Sequence, residues 1–407
     1  MRPSGRTSNA NPILSRLSLV KWGQYTAKLG WEAPRSYSAM QAQRRGGVHT
    51  GQSMRIWIFL IGQRTSAEIT FEEIYRDLLN DAQLAERLGY HGVLVAEHHF
   101  TNYCAIPNPL MLAAAIGQRT NRIRVGTAVI VLPLHNPVRV AEDIAEADQL
   151  TGGRLEVGFG RGYAAYEFTP LGLDLDDSPA AMADGLDVLD KLWSGPDVSN
   201  QDGRWPFPAI TVTPQPVQRP RPPAWYACGS ARSFGTALDR RLFPFIAVGV
   251  RGRAFAEEFR RAFEEECARR GKDPASIRFG AQVLAHHGTD QAEIERGAHA
   301  GRLMYRITNR LMAGRQRVRA GLVDMSGTEP AADVATDQIT SGSLVGDNDH
   351  VLRQLAWLAE MGVTDLSLNF RYGNLDSASV HRSMERVAEL AGLSPADTKP
   401  ADVWAPA

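Results

Sequence analysis

From Met54 onward, short apolar, β-rich runs alternate with stretches whose apolar residues recur about every 3.6 positions, which restricts the chain to an α/β fold on a parallel sheet. Eight such units can be counted. The strands are expected near Ile56–Leu60, Gly92–Ala96, Ile123–Val129, Leu155–Phe159, Ala224–Ala227, Phe245–Val248, Phe279–Leu284 and Asp365–Phe370. Between the first two, Ile74, Leu78, Leu79, Ala82, Ala85 and Leu88 mark one face of a helix that Gly89 stops. Val138–Leu150 reads as another helix, opened by Asn136-Pro137 and closed by Gly152-Gly153. Eight strands with intervening helices predict a (β/α)8 TIM barrel, with an insertion before the last strand, rather than an open sheet. Two segments break the rhythm. Pro196–Pro223 is proline-rich and reads as an extended surface connection, and the polar stretch Gln291–Gly342 has the length of a lid or binding loop.

The 407 residues, 43% hydrophobic and 22% charged, suit one large barrel domain. A formal net charge of zero argues against a nucleic-acid partner held by a general basic field. That zero hides an asymmetry, since residues 1–53 hold eight Lys and Arg against the single acid Glu32. The head has the composition of a transit peptide, but Met54 directly precedes the first strand, and a disordered or misassigned leader is the preferred reading. The barrel is then expected over 54–393, with 394–407 a C-terminal tail. Cys104, Cys228 and Cys267 match no disulfide framework or metal spacing, so no metal is expected and a reducing, cytoplasmic setting is the default. No stretch approaches the roughly 18 apolar residues that suggest a membrane span.

In a barrel the carboxyl ends of the strands converge on one mouth, where functional groups gather. After the second strand come Glu97, His98, His99 and Phe100, which do not belong in a core. After the third come Ala128-Val129 and then His135-Asn136-Pro137, where His135 is as readily a loop residue as a site residue. After the fourth, Gly158-Phe159-Gly160-Arg161-Gly162-Tyr163 departs from the dinucleotide fingerprint. Its alternating glycines let backbone approach a flat ligand, and Arg161 can fork onto a phosphate. After the fifth, Cys228-Gly229-Ser230-Ala231-Arg232-Ser233 opens a helix, and Gly229, Ser230 and Ser233 read equally as an anion site or an ordinary N-cap. Phe100, Tyr103, Tyr163, Phe370 and Tyr372 near these ends point to an apolar or aromatic organic substrate, or in part to core.

Together these stretches resemble the bacterial luciferase-like family of flavin-dependent monooxygenases from about Met54 to Leu393. The resemblance rests on Ala96-Glu97-His98-His99-Phe100, Arg124 to Pro133 with His135-Asn136-Pro137, Ala141-Glu142-Asp143, Asp148 to Arg154, and Gly160-Arg161-Gly162. It implies a barrel that binds reduced FMN (FMNH2) at its carboxyl mouth, with O2 adding at flavin C4a and the peroxide then oxygenating a small organic substrate. It also implies a separate NAD(P)H:flavin reductase and a homodimer. By motif position, His98 corresponds to the family's catalytic histidine, and Ala128-Val129 to a peptide bond, often cis, behind the flavin ring. Arg161, Gly229, Ser230 and Ser233 correspond to phosphate contacts, with Gly160, Gly162 and Tyr163 in the same cofactor loop. Gly160 stands where the light-emitting subunit has a reactive cysteine, and Cys228 replaces an acidic residue, which argues against light emission while leaving the oxygenase chemistry. Two alternatives remain: a deazaflavin (F420)-dependent oxidoreductase on the same barrel, and a non-catalytic flavin-binding protein.

Overall fold

Eight parallel strands close into a ring in the computed structural model, which describes residues 54–312, 317–326 and 334–395. The expected leader, residues 1–53, and nearly all of the expected tail lie outside the described residues. The ring strands are β1 (Arg55–Leu60), β2 (Gly92–Val95), β3 (Arg124–Thr127), β4 (Leu155–Gly160), β5 (Ala224–Ala227), β6 (Phe243–Ala247), β7 (Gly280–His287) and β8 (Asp365–Asn369). Each pairs with the next in chain order, and β8 returns to β1 with Asp365 opposite Arg55. All eight expected strands form, so the chain is a (β/α)8 barrel.

Helices cover the strands because their apolar stripes need a partner. The helix α1 (Phe71–Leu88) carries a capping box in which Thr70 and Glu73 satisfy each other's backbone amides, and it ends at Gly89 in the left-handed conformation, φ 87°. The next two are α2 (Pro109–Gly117) and α3 (Pro137–Leu150), the latter capped by Asn136. The third strand stops earlier than its composition suggests. The chain leaves the ladder after Thr127, passes a cis peptide at Ala128-Val129, and rejoins β4 through Ile130–Val131.

Both irregular segments contain more structure than their composition indicates. Within Pro196–Pro223, Val198–Asn200 and Phe207–Ile210 pair antiparallel. The insertion before β8 opens with a 22-residue helix, Gln291–Met312, whose buried stripe includes Ala298, Met304, Ile307 and Leu311. This helix lies against the mouth: Asn369 Nδ2 at the end of β8 is 3.7 Å from Met304 Sδ, and farther along the insertion the Val323 amide donates to Asn102 Oδ1 at 2.9 Å.

Alternation along each strand sends every second side chain into the barrel. At the amino-terminal end these are charged and form a closed plug. Asp365 accepts from Arg55 Nε at 2.7 Å, Arg278 Nη2 at 2.8 Å and the Trp57 indole at 3.0 Å. Glu156 accepts from Arg124 Nε at 2.8 Å, Arg278 Nη2 at 3.0 Å and the Trp225 indole at 2.8 Å. Burial alone would raise both carboxyls, but the hydrogen bonds and charges of these arginines hold both below their ordinary values, Asp365 far below. Trp57 and Trp225 pack edge to face above the plug, their centroids 6.4 Å apart, and floor the lumen.

Candidate active site

Beyond β2 the chain delivers Glu97, His98 and His99 to the mouth, with successive side chains diverging as extended backbone requires. Glu97 turns inward and is almost wholly buried. Its Oε1 meets His99 Nε2 at 2.9 Å and His135 Nε2 at 2.7 Å, and its Oε2 accepts from the Val131 amide at 3.1 Å. Burial would raise this carboxyl, but the bonds to His135 and His99 outweigh it and hold the group below its usual range; His135 is in turn raised despite its own burial. His135 thus belongs to a buried hub that ties the end of β2 to the segment following Ala128-Val129.

His98 points the other way. Its Nδ1 lies 2.8 Å from Glu167 Oε1, on the short helix Ala165–Phe168, and the same oxygen accepts from the His99 backbone amide at 3.0 Å. An acceptor at Nδ1 assigns the proton to that nitrogen and leaves Nε2 as an acceptor toward the Tyr163 hydroxyl, 3.4 Å away. Tyr103 stacks edge-on against the imidazole with centroids 4.7 Å apart. The Tyr163 hydroxyl is buried against Tyr103, which pushes it well above the ordinary phenol value, while part of the ring remains exposed. Glu167 escapes sequence reasoning because a lone carboxylate seven residues past Gly160 carries no periodic signal. Only the fold of the loop after β4 returns it to His98.

Gly160 and Gly162 are required by space. A Cβ on Gly160 would stand 2.4 Å from Val129 Cγ2, and Gly162 has φ 79°. Arg161 between them is exposed and makes one neutral side-chain contact, to Ser178 Oγ at 3.3 Å. Its charge also acts on the Tyr226 hydroxyl near the end of β5, so it faces the region where Gly229–Ser233 begins. There α4 (Ala231–Asp239) starts at Ser230, and the Ser230 amide donates to Ser233 Oγ at 3.2 Å. The Ser233 hydroxyl bonds back to Ser230, so it closes the cap, while Gly229, Ser230, Ala231 and Arg232 stay exposed. Burial pushes the Cys228 thiol up to about 12, which keeps it a thiol near neutrality. Phe370 is core, edge-to-face with Tyr90, and Tyr372 is fully buried; Phe100 and Tyr163 are the exposed aromatics at the mouth.

A closed (β/α)8 barrel with a carboxylate-held histidine and an available arginine at its carboxyl mouth defines an enzyme of the TIM-barrel class. The sequence pattern of the luciferase-like monooxygenases matches residues 54–365, and the chain belongs to that family. It is accordingly an oxidoreductase that incorporates molecular oxygen. Among curated relatives, the oxygenase component of the flavin-dependent trigonelline monooxygenase of Acinetobacter baylyi is 24% identical, over 86% of this chain and 99% of its own. The crystal structure of the monooxygenase RslO1 from Streptomyces bottropensis superposes with a TM-score of 0.72 at 24% identity, covering 83% of this chain and 98% of that one. An F420-dependent secondary alcohol dehydrogenase superposes at 0.66 with 17% identity, over 85% and 99% of the two chains, so the barrel itself is common to flavin and deazaflavin enzymes. Among the described residues, no helix is long and apolar enough to cross a membrane.

Proposed function

We propose that this chain is the oxygenase component of a two-component flavin system. It takes reduced FMN from a separate NAD(P)H-dependent reductase and uses O2 to oxygenate a small organic molecule at the barrel mouth. The observation that carries this reading is the His98–Glu167 pair beside the Gly160–Tyr163 loop, which puts an oriented proton acceptor next to an arginine free to bind phosphate. These residues fit a flat phosphorylated ligand. Arg161 lacks a carboxylate partner among the described residues, Gly229 to Arg232 at the start of α4 are exposed, and both loop glycines let backbone approach closely. Reduced flavin, when bound, supplies the electrons that activate oxygen. Arg161 and the Gly229–Ser230 turn would hold its phosphate, and Ala128-Val129 would lie behind its ring. Glu167 keeps the His98 Nδ1 proton in place so that Nε2 moves a proton during oxygen transfer. The helix Gln291–Met312 covers part of the mouth and helps to exclude water. Relatedness to a flavin-dependent oxygenase over nearly the whole of that protein favours this reading over deazaflavin-dependent hydride transfer.

The phosphate assignment gives a direct test. Arg161→Ala should weaken FMN about tenfold to a hundredfold, the loss of one charge-assisted contact, while riboflavin affinity stays within a few fold. Equal weakening of both ligands in fluorescence titrations would refute the contact. Tight binding of F420 with no binding of FMN would replace the flavin reading by the deazaflavin one.

A further inference from the structure

The lumen above Trp57 and Trp225 differs sharply from the plug beneath them. From Phe59 up to Leu284 on β7 and Asn369 on β8, the inward positions of the eight strands are glycine, alanine, leucine or phenylalanine, except Gln282 on β7 and Ser367 and Asn369 on β8; one step higher on β7 the same alternation brings His286, which is buried against Gly297 of the helix Gln291–Met312. No inward position at this level is charged. The orientation is anchored by contact: a Cβ on Gly280 would meet Phe245 and Trp225 across the lumen, so Gln282, two residues on, faces the same way. Phe59 and Ala227 are partly exposed and Ala247 is exposed, so the space is open along the β1, β5 and β6 walls.

The three polar positions are not equivalent. Ser367 Oγ and Asn369 Oδ1 are buried without a hydrogen-bond partner, and Asn369 Nδ2 is turned to Met304. The Gln282 carboxamide has no side-chain partner among the described residues, yet it is not sealed off as those two atoms are. Gln282 and Ser367 stand directly opposite each other in the β7–β8 register. At the rim, Arg251 is already engaged, lying 3.7 Å over the Phe255 ring and donating to the Ala247 carbonyl. An unpaired charge moved into such a lumen would lose its hydration with no counter-ion to replace it, whereas a neutral carbonyl or hydroxyl would find a donor and an acceptor at Gln282.

We propose that the lumen selects a neutral, largely apolar organic substrate carrying one hydrogen-bonding oxygen, that Gln282 is the side chain recognising this oxygen, and that carboxylates are excluded. This rests on the mouth being the oxygenation site. It also names the chemistry that must precede the enzyme, since an acidic precursor has to be masked or reduced before it can enter.

The test uses matched pairs of similar skeleton, acetophenone with benzoate and 2-decanone with decanoate, in equilibrium dialysis against flavin-free and FMN-loaded protein. Each ketone is expected to bind at least about tenfold more tightly than its carboxylate. Gln282→Leu should weaken the ketones by about fivefold to tenfold, one neutral hydrogen bond, and leave FMN affinity unchanged. Gln282→Arg should reverse the preference in favour of benzoate and decanoate. Carboxylates binding as tightly as ketones, or neither class binding, would overturn the proposal. So would Gln282→Leu weakening FMN instead of the ketones, which would assign the carboxamide to the flavin edge. If FMN does not bind at all, the flavin reading fails separately, and the ketone–carboxylate comparison on flavin-free protein still decides this one.

Discussion

Replacing His98 by alanine is expected to lower product formation about 100-fold or more, the usual scale for a positioned acid or base, while FMN affinity stays within a few fold. Hydrogen peroxide release should rise at the same time, because oxygen activation continues without productive transfer. The reason is geometric: His98 is bonded to Glu167 at Nδ1, and its Nε2 side is directed to Tyr163 at the mouth, whereas its neighbour His99 is committed to Glu97. His99→Ala should therefore act on stability and flavin seating more than on coupling. Glu167→Gln separates positioning from chemistry. The amide can present its NH2 to Nδ1 and favour the wrong tautomer, so product formation should fall and its pH profile shift, while Glu167→Asp restores part of both. Full coupling at the wild-type rate in His98→Ala would remove the histidine from the mechanism.

The second large effect belongs to the plug. Asp365→Asn is expected to destabilise the barrel by about 3–5 kcal/mol, because it leaves the largely buried Arg278 and Arg55 short of a counter-charge. Asp365 is held below its unfolded value, so its contribution is complete above about pH 4, the ordinary aspartate range, and is lost as the pH falls through the lower folded value. Denaturant unfolding at neutral pH should show the full deficit, and the gap between wild type and variant should narrow in acid. A gap of the same size at every pH would mean that the carboxylate charge is not what matters.

The contrast between plug and mouth also explains what the sequence conveys and what it conceals. Strand existence was legible because apolar runs such as Gly92–Val95 are wholly buried and leave uninterrupted patterns. The ends were less so. Nothing in the composition of Ile123–Val129 signals that the ladder breaks after Thr127, since the break is made by the backbone at Ala128-Val129. The insertion reads as polar because only one stripe of Gln291–Met312 is buried. At the site, the histidines announced themselves by sitting at a strand end, but their roles did not. Which histidine faces the mouth depends on Glu167 and Glu97, one 69 residues away from its histidine and the other two, and only the closed barrel decides between them. The plug was invisible for the same reason, as Arg55, Glu156, Arg278 and Asp365 come from four segments.

The most direct test of the account is rapid mixing of the protein, preloaded anaerobically with reduced FMN, against oxygenated buffer, with flavin reoxidation followed by absorbance. The account expects reoxidation to be slower than for free reduced FMN and to leave substrate oxygenated in step with oxygen consumed when a ketone acceptor is present. Reoxidation at the rate of free flavin, with all the oxygen recovered as hydrogen peroxide whether or not a substrate is supplied, would contradict it.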